Sequence, residues 1–328
     1  MAALDLGKRN VLDMPPGEGD CSRMRTVPRR GLILASFALL AAPAAWGQSA
    51  ITSDLWRVAA GTLVGPAALT VDGSAPLWTP AYAIPGEGPA AQATVEAIHG
   101  PADAGVGGAI AGFAYRPRGD WTFSAVWGRL SITDLVRTET SPEALGTIEA
   151  YTQVMSVGVA RTLHGGALTV GVAARGLSGR LDDRGSSRWT ADLGAIYAAR
   201  HLRLGAATRF FDPSSGSAES GASYSLGAEL RTSEGTLWGA PARASVRYGL
   251  GIAHGEQASH LLTAGLLLAR LFEFDAGAAR EEVAGDAVWR SRVGAAVAVG
   301  RYRVYLGRDG GVNGFGATYC FGLSARVR

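Results

Sequence analysis

The stretch GALTVGVAAR, residues 166–175, alternates between two kinds of side chain. Larger apolar groups such as Leu168 and Val172 occupy one phase, while Thr169 and Arg175 fall on the other. Because successive side chains of a β-strand point to opposite faces, this period of two predicts a strand with one apolar face and one small or polar face. The same alternation returns over residues 190–198, 201–210 and 222–231.

Alternation alone leaves two architectures open. A soluble β-protein buries large aliphatic side chains and exposes charge, whereas a membrane barrel turns its apolar face to lipid and fills its lumen with small and polar groups. Outward from the central stretch, the pattern predicts fourteen strands, many with the roughly 9–11 residues of a tilted membrane strand. They are expected at about 92–100, 106–117, 120–130, 148–163, 166–180, 187–199, 201–211, 221–232, 241–253, 259–270, 271–280, 288–300, 301–308 and 313–326.

The beginning of the chain predicts export. Arg25, Arg29 and Arg30 precede an apolar run at 31–42, and residues 45–47 have the small-residue pattern of a cleavage site. We expect residues 1–47 to be an upstream extension and secretory signal peptide that is removed. The remaining chain is nearly neutral and has no basic tail, which argues against a nucleic-acid partner.

No later apolar run predicts a membrane helix. The longest, residues 261–271, falls short of the roughly 18 residues that a spanning helix needs. An exported membrane protein of this kind is therefore expected to be a closed barrel, because only helices and closed barrels satisfy every backbone polar group in hydrocarbon.

The connections between predicted strands alternate in length, as is typical of outer-membrane barrels. Short ones are expected at 164–165, 200–201, 271 and 300–301, and longer ones at 131–146, 212–221, 233–240 and 281–287. Aromatic residues near strand ends predict girdles at the membrane surfaces. These residues are Trp121, Trp127, Tyr151, Trp189, Phe210, Trp238, Tyr248, Trp289, Tyr302 and Phe321.

Catalytic and metal-binding patterns are sparse. The five His residues have no metal-ligand spacing, and Cys320 is a lone thiol once the leader is removed. No nucleophile is recognisably paired with a base. We expect no metal, no cofactor and no enzyme, although barrel hydrolases built from residues scattered over several strands leave that class open.

The inward phase offers the only candidate site. Guanidinium groups there predict a mildly basic passage or an anchor for a carboxylate. The alternative is a lumen crosslinked by ion pairs, with Asp192 and Glu229 among the acceptors, because charges inside a barrel must pair or stay hydrated. The candidates are Arg175, Asp192, Arg203, Arg209, Glu229, Arg231, Arg243, Arg247, Arg292, Arg301 and Arg303.

Three segments carry a family resemblance. TADLGAIY (190–197) is similar to a hairpin signature of the PorV/PorQ outer-membrane proteins, which belong with the FadL-like long-chain fatty acid transporters. VDGSAPLWTPA (71–81) and LSITDLVRTETSP (130–142) resemble an early acidic turn and a strand-to-loop stretch of that family. The resemblance implies a fourteen-stranded transmembrane antiparallel β-barrel at 92–328 in the bacterial outer membrane.

The resemblance also implies that residues 48–91 fold inward as a hatch or plug. This segment does not alternate, and its many Gly and Pro residues break both helix and strand. The hatch motif comprises Asp72, Trp78, Thr79 and Pro80, and Thr79 stands where the family has Asn.

Two functions follow from these patterns. The first is a FadL-like channel for small hydrophobic or amphipathic compounds. The hatch closes its lumen, and a substrate passes by diffusion or when the hatch rearranges. The alternative is a non-conducting PorV-like scaffold or secretion accessory. The expected partners are outer-membrane lipid, a small hydrophobic ligand in the lumen and proteins at the loops. A soluble secreted β-protein is the third reading, which large aliphatic residues on both phases would favour.

Overall fold

Fourteen antiparallel strands of the described chain close into a barrel. They belong to one fifteen-stranded sheet, in which the short β11 is appended to β12 and the pairing of β10 with β12 continues the wall. The wall closes where β1 pairs with β17, with His99 opposite Tyr319. The strands are β1 (Ala90–His99), β2 (Val106–Arg116), β3 (Trp121–Ile132), β4 (Val136–Arg137), β5 (Gly146–Thr147), β6 (Ala150–Leu163), β7 (Leu168–Leu181), β8 (Arg184–Ala198), β9 (Leu202–Arg209), β10 (Ser223–Arg231), β11 (Gly235–Leu237), β12 (Ala240–Ala253), β13 (Ser259–Leu268), β14 (Phe272–Val283), β15 (Asp286–Val299), β16 (Tyr302–Asp309) and β17 (Thr318–Val327).

The computed structural model describes most of the chain after the predicted leader. The described residues are 49–71, 74–86, 88–101, 105–133, 135–137, 146–210, 222–253, 257–283, 286–311 and 316–327. The predicted signal peptide and Asp72 of the predicted hatch motif lie outside them.

The predicted fourteen-stranded barrel is confirmed, with most strand ends within a few residues of their expected positions. Alternation did not predict the short strands β4, β5 and β11. The connection predicted at 281–287 exists but is not one of the longer ones, because β14 runs to Val283 and β15 begins at Asp286.

The two phases of each strand face different surroundings. On β7, Val170 and Val172 are 38% and 50% exposed, whereas Thr169 and Arg175 are buried. The apolar phase therefore faces outward, and the small and polar phase faces the lumen. A closed barrel with an apolar exterior and a polar interior is a transmembrane barrel of the outer-membrane type. The same arrangement excludes a soluble β-protein, because such a protein buries its apolar phase and exposes its polar phase.

The two rims of the barrel differ in their connections. The turns at 117–120, 164–167, 199–201, 269–271 and 300–301 define the short-turn rim. The opposite, long-loop rim lies where β1, β3, β7, β14 and β16 end. The connection at 233–240 was predicted among the longer loops but joins β10 to β12 at the short-turn rim, where β11 pairs back onto β12.

The helical elements are short. They are the α-helices α1 (Ser49–Gly61) and α2 (Ala75–Trp78), and 3₁₀ turns at Ala67–Leu69 and His164–Gly166. Among the described helices, none has both the length and the apolar character to cross a bilayer.

Candidate functional site

Residues 55–71 and 74–86, here called the interior segment, lie inside the barrel. A Cβ added to any of eight glycines on eight different strands would contact this segment. Because those strands surround the barrel axis, one segment can reach them all only from within. The contacts are Trp56 with Gly128, Thr62 with Gly307, Val64 with Gly294, Pro66 with Gly249, Leu69 with Gly227, Ala68 with Gly205, Thr79 with Gly194 and Pro80 with Gly171.

The missing side chains at these glycines make room for the segment's backbone. A Cβ at Gly171 would collide with the carbonyl of Pro80, and a Cβ at Gly205 would collide with the carbonyl of Ala68. Close backbone approach of this kind favours glycine in a strand, despite its conformational cost. The inward-facing glycines therefore shape the lumen to this segment.

The segment starts near the long-loop rim. The buried indole of Trp56 on α1 donates a hydrogen bond to Thr152 of β6, with an Nε1 to Oγ1 distance of 3.1 Å. Around it, Ile110, Leu130 and Val154 belong to one apolar cluster of the inner wall. This part of the lumen is packed like a small hydrophobic core.

At mid-barrel, a buried ion pair holds the segment. Arg175 pairs with Asp192, and both side chains are fully buried. Arg175 Nη2 also donates to the carbonyl of Leu77 over 2.9 Å. The ring of Phe210 lies 5.0 Å from the Arg175 guanidinium carbon, and Phe210 N donates to Asp192 Oδ1 over 2.8 Å. The pair thus fixes both α2 and the end of β9.

The position of Phe210 corrects its predicted place in an aromatic girdle. Its side chain is buried, and its φ of 60° lies in the left-handed region. β9 ends at Arg209, so Phe210 no longer follows the strand alternation and turns inward. The Arg209 guanidinium lies 5.3 Å from the ring centre of Trp78 and 6.0 Å from that of Phe210.

Near the short-turn rim, Arg116 holds the exit of the segment toward β1. Its guanidinium donates to the carbonyls of Ile84 (2.5 Å), Gly86 and Gly88 (2.9 Å). Tyr82 donates its hydroxyl proton to Gln92 over 2.5 Å. Because Arg116 binds backbone carbonyls, it fixes the path of the main chain whatever side chains the segment carries.

Three arginines converge on one buried carboxylate in the opposite wall. Glu229 Oε2 accepts from Arg203 (3.1 Å) and Arg231 (2.6 Å). Its Oε1 accepts from Arg247 Nε over 2.9 Å. The side chain of Glu229 is 1% exposed, so this charge is almost removed from water. The shared carboxylate offsets part of the repulsion among the three cations.

The same network continues across β14. Arg247 reaches Asp275 at 2.7 Å and Glu273 at 3.4 Å. Glu273 also accepts from Arg303 over 2.9 Å. Alternation with Phe272 and Phe274 already placed both carboxylates on the inward phase, although the sequence analysis did not single them out.

A cavity of about 330 Å³ lies between this network and residues 62–71. Leu267 and Tyr305 form an apolar part of its wall. Its lining carries five arginines, at positions 203, 231, 243, 247 and 303, against three acidic groups at 229, 273 and 275. The cavity is therefore amphipathic and has an excess of positive charge.

Arg243 lies at the edge of this cavity, 3.7 Å from Glu234 in the connection outside the barrel. Glu234 also accepts from Arg270 over 2.6 Å. The hydrogen bond from Arg270 lowers the pKa of Glu234. This exposed carboxylate stays ionised and links the connection at 233–240 to Arg270 in the turn at 269–271.

A separate ion-pair group lies beside residues 61–63. Arg292 pairs with Glu281 (2.9 Å) and Asp309 (3.2 Å), and its Nη1 donates to the carbonyl of Leu63 over 3.3 Å. Arg290 pairs with the same two carboxylates. The sequence analysis missed Arg290, Glu281 and Asp309.

The predicted site residues thus occupy several places. Arg175 and Asp192 form one pair, with Arg209 close to their cluster, and Trp78 and Thr79 are buried nearby. Arg301 lies in the turn at 300–301, exposed, with its guanidinium 5.0 Å from the ring of Tyr302, because it falls between β15 and β16. The network around the cavity contains Arg203, Glu229, Arg231, Arg243, Arg247 and Arg303.

Of the comparisons with known proteins, only the one with solved structures finds matches, and those described here are barrels. No protein-family profile matches the chain, and no curated protein matches it. Among solved structures, it is similar to the toluene transporter TbuX of Ralstonia pickettii, with 14% identity, a TM-score of 0.49 and coverage of 80% of this chain and 98% of that one. A Pseudomonas aeruginosa FadL homologue has 11% identity, a TM-score of 0.46 and coverage of 80% and 95%.

CdiB from Acinetobacter baumannii is a third similar structure, with 10% identity and a TM-score of 0.41. The match covers 73% of this chain but only 60% of CdiB. At these identities and scores, the three likenesses say nothing about what this barrel carries or binds. The resemblance to PorV and PorQ stays a prediction.

Proposed function

We propose that this protein is an outer-membrane channel for small amphipathic compounds, with the interior segment as the plug that closes its lumen. The observation that carries the proposal is the contact of this one segment with eight strands around the barrel. An amphipathic cavity lies directly against residues 62–71 of the plug. Passage therefore requires only that this part of the plug move.

The ties of the plug differ along its length, which supports a partial opening. Residues 62–71 are held to charged groups of the wall by two long hydrogen bonds, from Arg203 to the Leu69 carbonyl (3.4 Å) and from Arg292 to the Leu63 carbonyl (3.3 Å). Both approach the outer limit of hydrogen-bond length. Residues 74–86 have shorter ties, including the 2.9 Å bond from Arg175 to the Leu77 carbonyl. The 62–71 part is the one that rearranges.

The lining of the cavity favours a compound with an acidic group on an apolar body. Leu267 and Tyr305 offer apolar contact on one side. Arg231 and Arg243 keep a third or more of their side chains exposed, so their guanidinium groups remain accessible to a ligand. A guanidinium binds a carboxylate or sulfonate through charge-assisted hydrogen bonds.

A disulfide that locks the plug tests the channel. The Cβ of Val64 lies 3.4 Å from an ideal Cβ on Gly294, close to the separation that a disulfide needs. In a Cys320→Ser background, Val64→Cys with Gly294→Cys should close the lumen when oxidised and allow passage when reduced. The readout is flux of a bilayer-impermeant aromatic sulfonate into proteoliposomes, and each single cysteine variant is the matched control.

The second candidate, a non-conducting scaffold, draws on the dense ion pairing of the lumen. Glu229 alone pairs with three arginines, and such networks stiffen a barrel without forming a passage through it. A scaffold predicts no sulfonate flux in either redox state. Equal flux in both states would instead contradict the proposed route past residues 62–71.

A further inference from the structure

Basic and aromatic residues follow the long-loop rim in one row of cross-strand partners. Arg308 lies opposite Tyr319, Tyr319 opposite His99, and Tyr151 opposite Arg180. Every member lies within one residue of the end of its strand. We call this set the rim row, and in the order β16, β17, β1, β2, β3, β6, β7 it is Arg308, Tyr319, His99, Gly107, Ser131, Tyr151 and Arg180.

The rim row faces outward. Direct cross-strand partners share a face of the sheet, and the residues next to the row, such as Ile98 and Leu130, are buried in the lumen. His99 is exposed, and the side chain of Arg180 is 47% exposed. These polar groups therefore stand on the lipid-facing surface at the level of the rim.

Aromatic rings hold two of the guanidinium groups on that surface. The guanidinium carbon of Arg308 lies 6.0 Å from the ring centre of Tyr319. Arg129, two residues deeper on β3 than Ser131, lies 4.1 Å from the ring centre of Tyr151. Cation–π contact orients a guanidinium while leaving its N–H groups available. The outer face thus presents positioned donors.

Three guanidinium groups, those of Arg308, Arg129 and Arg180, stand on this surface. Within the described residues, the salt bridges of the row and of Arg129 go to a single carboxylate, Glu149, at 3.6 Å from Arg129 and 3.4 Å from Arg180. Arginine on a lipid-facing strand is tolerated near the interface and is costly deeper in the bilayer. A negatively charged headgroup at this level would meet the donors directly.

We infer that the rim row binds lipids whose headgroups carry phosphate monoesters, in the leaflet at the long-loop rim. Phosphate oxygens accept charge-assisted hydrogen bonds from guanidinium groups, and tyrosines suit the boundary between acyl chains and headgroups. The row covers six strand steps, roughly 29 Å at about 4.8 Å per step, which is wide enough for more than one headgroup. This inference concerns the outer wall and does not depend on the proposed channel.

Lipid retention in nanodiscs tests the inference. The full-length protein is reconstituted in phosphatidylcholine with a minor fraction of lipid A, and native mass spectrometry measures the lipid that stays bound. Arg308→Gln with Arg180→Gln should lower lipid A retention roughly tenfold. The matched control is Arg161→Gln, an outward arginine 5.1 Å from the ring of Trp121 at the short-turn rim, which should leave retention unchanged.

Two further arms identify what is recognised. Lipid A stripped of its phosphates should not be enriched, and inorganic phosphate should not displace the intact lipid. Displacement by phosphate would contradict a lipid site in favour of a general anion site. Equal retention by the double variant and the wild type would also overturn the inference. Heat-modifiable mobility verifies folding, and the two single variants replace the double one if it fails to fold.

Discussion

Arg175 on β7 donates a 2.9 Å hydrogen bond to the backbone carbonyl of Leu77, 98 residues earlier in the chain. The same guanidinium pairs with Asp192 and lies against the ring of Phe210. One fully buried side chain therefore joins the barrel wall, the interior segment and the end of β9. The Arg175 charge can stay buried at these contacts because Asp192 balances it within the wall.

Removing one partner of the buried ion pair should destabilise the protein more than removing both. Arg175→Met leaves Asp192 buried and uncompensated, which costs about 3–5 kcal/mol in comparable cases. Adding Asp192→Leu should recover much of that loss. Guanidinium chloride unfolding, followed by loss of heat-modifiable mobility, measures the difference. A double variant less stable than Arg175→Met would refute the buried-pair account.

A side chain at Gly205 should push residues 66–69 away from β9. Gly205→Leu places carbon where the carbonyl of Ala68 now lies, so the interior segment must shift. A cysteine at Leu69 reports the shift through labelling by a membrane-impermeant maleimide in a Cys320→Ser background. Labelling should be slow with Gly205 and fast with Gly205→Leu.

The control for that labelling is Gly176→Ala, whose added Cβ would make only ordinary contact with Trp189 on the outer face. It should leave the labelling of the cysteine at position 69 slow. Unchanged labelling in Gly205→Leu would mean that the segment is not seated against β9.

Loss of the Glu229 charge should make the cavity strongly electropositive. In Glu229→Gln, Arg203, Arg231 and Arg247 lose the negative charge that they share. When this change is made in a variant with an open lumen, the reversal potential in a salt gradient should shift toward anion selectivity. Glu234→Gln, at an exposed rim position, should have little effect. Equal shifts in the two variants would place the selectivity at the rim.

The sequence predicts the wall of the barrel far better than its contents. Alternation over about ten residues is local, so the strands and the outward phase could be read from stretches such as 166–175. Glu273 and Asp275 also lie on a readable inward phase. Their contact with Arg247 depends on how β12, β13 and β14 pair. Alternation within one strand does not predict which strands pair or in which register.

Other features were beyond a local pattern. Phe210 continues the alternation of β9 in the sequence, yet its left-handed backbone turns it into the lumen. In the sequence, Gly205 and Gly227 are simply small residues on the polar phase of their strands. Their partners in the interior segment lie more than a hundred residues earlier, and only the closed barrel brings them together. Contact over such a distance has no periodic signal.

Single-channel conductance in planar bilayers is the most direct test of the plugged lumen. The purified protein is compared with a variant lacking residues 49–71, after heat-modifiable mobility has shown that both are folded. The account predicts a closed wild type and an open deletion variant. Two closed barrels, or a wild type that already conducts as well as the deletion variant, would contradict it.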